Sequence, residues 1–265
     1  MKRVVIIVAG GKGLRMGGDL PKQFIPLQGK PVLMYTLGAF YKWDSTADLL
    51  LVIPEEHELY WKMLCKELNF TIPHIVVYGG ETRFHSVRNG LLEALNGSDV
   101  EAQGVLNGAG GGLCKTEVAD FSCGVEEGCL IAIHDGVRPF VSSDVISSCF
   151  AIAEEFGAAI PVVPMIESVR EVIESVSEVN EGKSRPFDRN RLCIVQTPQV
   201  FRADILRKAY EQPYDERFTD DASLVEASGH KIRLVDGNRE NIKITTPMDL
   251  QYAEIQLKIE KSFLM

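Results

Sequence analysis

Short apolar runs rich in β-branched residues alternate along this chain with amphipathic helical stretches, and that alternation restricts the fold more than any other feature. Runs at 3–9, 49–53, 74–78, 130–134, 158–163, 192–196 and 231–235 have strand length. Several are apolar at consecutive positions, so both of their faces are buried. Helical spacing follows at 31–40, where Val32, Leu33, Leu37 and Phe40 share a face and Pro31 suits a first helical position. It recurs at 83–95 with Phe84, Val87, Leu91 and Leu95, and further helical stretches run over 143–156, 203–210 and 247–259. Strands covered on both faces and alternating with helices predict an α/β fold with a mainly parallel sheet. Ligands in such folds sit at the carboxyl ends of the strands, so chemistry is to be sought in the loops that follow them.

The first run, Val4 to Ala9, opens directly into Gly10-Gly11-Lys12-Gly13-Leu14-Arg15-Met16-Gly17, and Pro21-Lys22-Gln23 follows. Glycines let backbone N–H groups approach a phosphate closely, and Arg15 and Lys22 add cations able to clamp a polyphosphate. The spacing matches neither common phosphate loop. A Walker A loop needs Ser or Thr after Gly-Lys, where this chain has Gly13. A dinucleotide fingerprint needs a third small residue where it has Met16. With 28 basic and 37 acidic side chains the net charge is −9. Nothing therefore draws the chain as a whole toward nucleic acid or anionic membranes, and any bound anion must be held by a few local cations.

Two stretches break the alternation. Residues 97–128 hold eight of the 23 glycines and six acidic residues against one lysine, and are expected to form a flexible acidic insertion dispensable for catalysis. Residues 165–191 alternate apolar and charged positions before a polar stretch, and are expected to project as a β-hairpin arm. The six cysteines form no CxxC pair, and the N-terminal apolar run of six residues is too short for a signal segment or a membrane span. Reduced thiols in the cytoplasm are the expectation.

Six motifs in order carry a family resemblance. The glycine loop with Arg15, Met16 and Pro21-Lys22-Gln23 comes first. Gly79-Gly80-Glu81-Thr82-Arg83-x-x-Ser86-Val87 and His134-Asp135-Gly136-Val137-Arg138-Pro139 follow. Gln196-Thr197-Pro198-Gln199-x-Phe201, Thr219-Asp220-Asp221-Ala222-Ser223, and Gly237-x-x-x-Asn241-Ile242-Lys243-Ile244-Thr245-Thr246-Pro247-x-Asp249-Leu250 complete the series. Together they resemble the alditol-phosphate nucleotidyltransferases, most closely the 2-C-methyl-D-erythritol 4-phosphate cytidylyltransferase family. The resemblance implies a Rossmann-like, mainly parallel sheet flanked by helices, of nucleotide-diphospho-sugar transferase type, in a single domain over 1–265. It also implies transfer of CMP from CTP to an alditol phosphate, with pyrophosphate released and Mg²⁺ beside the triphosphate.

By that resemblance Arg15, Lys22 and Lys243 are catalytic, gripping the triphosphate and the charge of the transition state. Ala9, Gly10, Gly11 and Gly13 cradle the nucleotide, Gly80, Glu81 and Ser86 meet its cytosine, and Asp135 and Gly136 meet its ribose. Asp135 and Arg138 contact the alditol phosphate, and Ser168 and Arg189 reach it from a neighbouring subunit, which implies a homodimer with a shared active site. Metal ligands are unassigned, and neither nucleic acid nor membrane is an expected partner. The chain departs from the family at Gly136 and Val137, where two alanines are usual, and at Glu81, where aspartate is frequent. Ribitol- or ribulose-5-phosphate cytidylyltransferase is the alternative reading, and a non-catalytic nucleotide-binding protein is a second. The joint presence of Arg15, Lys22, Asp135 and Lys243 argues against the latter. His134 is expected to be structural, since it lacks a paired orienter. Asp221 or Thr219 is expected to cap the helix that follows them.

Overall fold

The computed structural model describes residues 1–11, 20–96, 128–173 and 184–263. The first half carries β1 (Lys2–Val8), β2 (Pro26–Leu27), β3 (Lys30–Pro31), α1 (Val32–Trp43), β4 (Asp48–Ile53), α2 (Glu58–Glu67), β5 (Ile75–Tyr78) and α3 (Arg83–Asn96). The second carries β6 (Cys129–Asp135), α4 (Ser143–Phe156), β7 (Ala158–Pro164), β8 (Val169–Val172), β9 (Ser184–Phe187), β10 (Cys193–Val195) and β11 (Gln199–Arg202). It ends with α5 (Ala203–Tyr210), α6 (Asp221–Ala227), β12 (Arg233–Asp236) and α7 (Pro247–Phe263).

One eight-stranded sheet organises the molecule, with β10, β7, β11, β6, β1, β4 and β5 as successive hydrogen-bonded neighbours and β12 also paired with β7. β1 is central, parallel to β4 and β6, and β5 is parallel to β4. β12 is parallel to β7, while β10 and β11 run antiparallel to it. Strand residues alternate faces, and both faces of β1 are fully buried. Val4 and Ile6 join Leu50 and Val52 against Phe84, Val87 and Leu91 of α3. Val5 and Ile7 join Leu49 and Leu51 against Leu33, Leu37 and Phe40 of α1 and Ile146, Cys149 and Phe150 of α4. This two-sided burial is why these strands read as unbroken apolar runs.

The anticipated strands and helices form within a few residues of their expected ends. Pro31 lies one residue earlier than expected, as the residue capping α1 in extended conformation, so Val32 opens the helix. Three elements carry little sequence signal. α2 buries only Trp61 and Cys65, α6 spans seven residues, and β11 spans four. The 165–191 stretch contains β8 and β9, an antiparallel pair that forms its own two-stranded sheet, with Val169 opposite Phe187. Residues 97–127 of the expected insertion lie outside the described residues.

Candidate active site

The carboxyl ends of β1, β4, β5 and β6 are stitched together by their own backbones. Val8 pairs with Asp135 in register. Ala9 N donates to Val52 O at 2.8 Å, Gly79 N to Ile53 O at 2.8 Å and Gly136 N to Val8 O at 2.9 Å. Above them lies a cavity of about 290 Å³ lined by Ala9, Gly10, Gly11, Lys22, Gly80, Glu81, Ser86, Asp135 and Lys243, together with Gln23, Thr82, Arg83 and Val137. Residues expected to share a site thus converge from four separate stretches of chain.

Lys22 begins a single 3-10 turn ending at Phe24, and its aliphatic end lies against Gly11. A Cβ on Gly11 would meet Lys22 Cε at 3.2 Å and Nζ at 3.3 Å. The β5–α3 loop closes on itself: Ser86 Oγ accepts from Gly80 N at 3.0 Å, and a Cβ on Gly80 would collide with His85 Cβ. Asp135 is the electrostatic hub. Its Oδ2 receives Arg138 Nε at 2.9 Å and Lys243 Nζ at 3.1 Å. Burial alone would raise the Asp135 carboxyl, but Lys243, Arg83 and Arg138 around it hold it well below the usual carboxylate range. Lys243 is delivered by a loop pinned at several points. Ile244 N donates to Val137 O at 3.0 Å, Arg138 Nη1 to Asn241 O at 2.8 Å and Asn241 Nδ2 to Thr197 O at 2.8 Å.

Gly136 is drawn away from the cavity into packing. Its Cβ would meet Ala9 Cβ at 2.8 Å and Leu33 Cδ1 at 3.1 Å, and its carbonyl accepts from Thr36 Oγ1 at 2.9 Å. Arg138 flanks the cavity through Asp135. Ser168 and Arg189 are exposed and stand apart from it, Ser168 immediately before β8 and Arg189 donating to Ile166 O. Arg15 and Gly13 lie outside the described residues.

The cap of α6 differs from expectation. Asp220, rather than Asp221 or Thr219, is the N-cap: its Oδ1 accepts from Ser223 N at 2.9 Å while Ser223 Oγ reaches back to the Asp220 backbone. Asp221 instead turns inward to Arg83 and Tyr210. His134 is fully buried, its Nε2 facing Arg138 O at 3.0 Å and its Nδ1 facing Thr197 Oγ1 at 3.0 Å, as a structural histidine should be. Arg83 and Gln23 belong to the second and first sequence motifs and line the cavity, although neither carries a role implied by the resemblance. The available signal for Arg83 was a cation in the first turn of a helix, where the helix dipole disfavours one.

Among the described residues no three His, Cys, Asp or Glu side chains gather to hold a metal ion. Mg²⁺ bound mainly through substrate phosphates needs only one or two carboxylates, and Asp135 lines the cavity with its Oδ2 held by Arg138 and Lys243. The cavity therefore fits a cation that arrives with a triphosphate better than a resident metal centre.

The family model for IspD, 2-C-methyl-D-erythritol 4-phosphate cytidylyltransferase, matches residues 3–129 and 109–259. The chain is 49% identical over 257 residues to the enzyme of that name from Bacteroides fragilis, covering 97% of this chain and 100% of the relative. It is 48% identical over 255 residues to the one from Phocaeicola vulgatus, covering 96% and 99%. The crystal structure of the Francisella tularensis enzyme superposes with a TM-score of 0.68 at 28% identity, covering 97% of this chain and 100% of that one. This chain belongs to the 2-C-methyl-D-erythritol 4-phosphate cytidylyltransferase family.

Proposed function

We propose that this chain transfers CMP from CTP to 2-C-methyl-D-erythritol 4-phosphate, releasing pyrophosphate. The observation that carries the reading is the convergence of Lys22, Arg83, Asp135 and Lys243 on one cavity at the strand ends. A phosphate oxygen of the alditol phosphate attacks the α-phosphorus of CTP in line. The bond from that phosphorus to the bridging oxygen breaks, and pyrophosphate leaves with the electron pair. Two anions must meet, so neutralisation and alignment are the main tasks. Lys22, set over the Gly10-Gly11 backbone, binds the triphosphate. Lys243, held by Asp135, faces the α-phosphate and the incoming oxygen. Arg138 orients the alditol phosphate from the other side of Asp135, whose Oδ1 takes a hydroxyl of ribose or alditol. The Gly80–Ser86 loop reads the cytosine edge with backbone groups, and Glu81 stands beside it. Mg²⁺, when bound with the substrate, neutralises phosphate charge and eases departure of pyrophosphate.

In this reading Ser168 and Arg189 act on the site of a second copy, and the enzyme is a homodimer. Exposed Val172, Ile173, Phe187, Ile194 and Val195 on β8, β9, β10 and the residue after β8 support that assignment, since exposed apolar side chains in the arm region favour association. Residues 97–128 form an insertion in a single nucleotidyltransferase domain, which is supported by the family match arriving in two parts that meet within that stretch. The enzyme works in the cytoplasm. No helix among the described residues is long and apolar enough to cross a membrane.

Pyrophosphate release from CTP, measured in parallel with methylerythritol phosphate, ribitol phosphate and ribulose phosphate, tests the substrate. The expected result is turnover with the first alone. Preference for ribitol or ribulose phosphate, or no release with any of them, overturns the proposal. Sedimentation at assay concentration tests the assembly, and a fully active monomer refutes it.

A further inference from the structure

Asp221 is a buried carboxylate with no capping task. Asp220 already caps α6, and Asp221, 1% exposed, uses both oxygens elsewhere. Its Oδ2 accepts from Arg83 Nη2 at 2.6 Å and its Oδ1 from the Tyr210 hydroxyl at 2.6 Å. A carboxylate this deep is tolerated only with a cation beside it and its lone pairs bonded. The arrangement therefore fixes Arg83 as firmly as it satisfies Asp221. Burial and the neighbouring carboxylate push the Tyr210 hydroxyl well above its ordinary range, so it stays protonated and can only donate. The Tyr210 ring is itself held, 4.9 Å from that of Phe84 in the first turn of α3.

Arg83 lines the cavity together with Ser86 and Asp135. Of its five N–H donors, one is committed to Asp221, and the others have no hydrogen-bond partner among the described residues. Its charge helps to hold the Asp135 carboxyl down. A guanidinium left with unpaired donors on the wall of a ligand cavity, and clamped from behind by a buried acid, is arranged to present those donors to acceptor oxygens of a ligand.

We propose that Asp221, with Tyr210, is a positioning residue for CTP, holding the Arg83 guanidinium against the cavity so that its remaining donors meet the nucleotide. The proposal rests on the cavity being the CTP site. It makes α6 and α5 part of the nucleotide-binding apparatus, although neither helix lies on the glycine loop.

The test is steady-state kinetics of full-length Asp221→Asn, Asp221→Glu, Tyr210→Phe, Arg83→Ala and the double variant Arg83→Ala/Asp221→Asn, with CTP varied at saturating alditol phosphate. Asp221→Asn is expected to raise the KM for CTP about tenfold with kcat little changed, because a ground-state contact is weakened. Asp221→Glu is expected to recover part of that loss, and Tyr210→Phe to raise KM by about threefold. Because Asp221 acts through Arg83, the double variant is expected to match Arg83→Ala alone. A fall in kcat at unchanged KM for Asp221→Asn means a smaller folded fraction and overturns the proposal, as does a double variant whose effects multiply. If Arg83→Ala itself leaves the KM for CTP unchanged, the reading of the cavity fails first. If Arg83→Ala raises it and Asp221→Asn does not, only the positioning role fails.

Discussion

Acid should destabilise this fold through His134 well before it touches Asp135. His134 is fully buried on β6, and burial pushes its pKa from 6.5 down to about 4. The hydrogen bond to Arg138 O and the charge of Asp135 pull it upward only in part. The neutral ring suits its surroundings, with Nε2–H donating to Arg138 O and Nδ1 accepting from the Thr197 hydroxyl, which itself accepts from Asp135 N. As pH falls, the unfolded chain binds a proton at this side chain near 6.5 while the folded chain resists until about 4. The stability is thus fully present above 6.5 and is lost as pH falls toward 4. The difference corresponds to a total of about 3 kcal/mol, with about 2 kcal/mol already gone between pH 7 and pH 5. Urea unfolding followed by the fluorescence of Trp43 and Trp61 at half-unit steps from pH 7.5 to 4.5 measures it. His134→Gln keeps a donor for Arg138 O and removes the titration. Its absolute stability is lower, but its loss between pH 7 and pH 5 is expected to be smaller than the parent's by about 2 kcal/mol. Identical pH dependence in the two proteins, or an NMR titration of the His134 ring with a midpoint near 6.5, refutes the reasoning.

Lys22→Ala is expected to lower kcat/KM for CTP by about 100-fold or more, the scale of losing one preorganised charge contact, and unchanged turnover in the pyrophosphate assay sinks its assignment. Gly136→Ala adds a Cβ 2.8 Å from Ala9 Cβ and 3.2 Å from Val8 O, so it is expected to cost about 1–3 kcal/mol of stability, read as a lower Tm, with partial recovery when combined with Ala9→Gly. Lys243→Met removes the first cation holding Asp135 down, so the folded-state pKa of that carboxyl rises; the stability Asp135 contributes above the ordinary aspartate range shrinks, and its loss on acidification still begins at the unfolded-state pKa but is complete at a higher pH, visible as a smaller and narrower acid-dependent loss of stability. Replacing residues 98–127 with a short Gly-Ser linker is expected to leave kcat/KM within about threefold, and lost activity in folded protein counts against the insertion reading.

What could be read in advance was set by how much each residue does alone. β1, β4 and β6 announce themselves because every residue between the two layers of helices must be apolar, as Ile6, Leu50 and Ile133 are. β11 escapes because it begins with a buried glutamine and ends with an exposed arginine, and α2 because it exposes Leu59 and Met63 while burying Trp61. Thr219, Asp220 and Asp221 are all good capping types, so the choice among them depends on where Arg83 and Tyr210 lie, more than a hundred residues upstream in one case. Gly136 looked like a departure in a ribose pocket. In the fold it is the position where the chain leaving β6 passes Ala9 too closely for a side chain. Single-residue chemistry was visible, but pairings between distant residues were not.

The acidity of the chain bears on the cavity in a specific way. Lys22, Arg83, Arg138 and Lys243 face Glu81, Asp135 and Asp221 around it. Among the described residues that leaves a formal excess of a single positive charge, far less than a nucleoside triphosphate and an alditol phosphate bring together. The Asp135 carboxylate holds two of these cations in place through one oxygen, Oδ2, with Arg138 Nε at 2.9 Å and Lys243 Nζ at 3.1 Å. In the proposed reaction a phosphate that enters competes with Asp135 for Lys243, so binding becomes an exchange of one anion for another instead of the capture of a bare lysine. Such an exchange costs little reorganisation, because the cations are already in place. It also leaves negative charge unbalanced, and that remainder is what Arg15 and a phosphate-borne Mg²⁺ are proposed to meet.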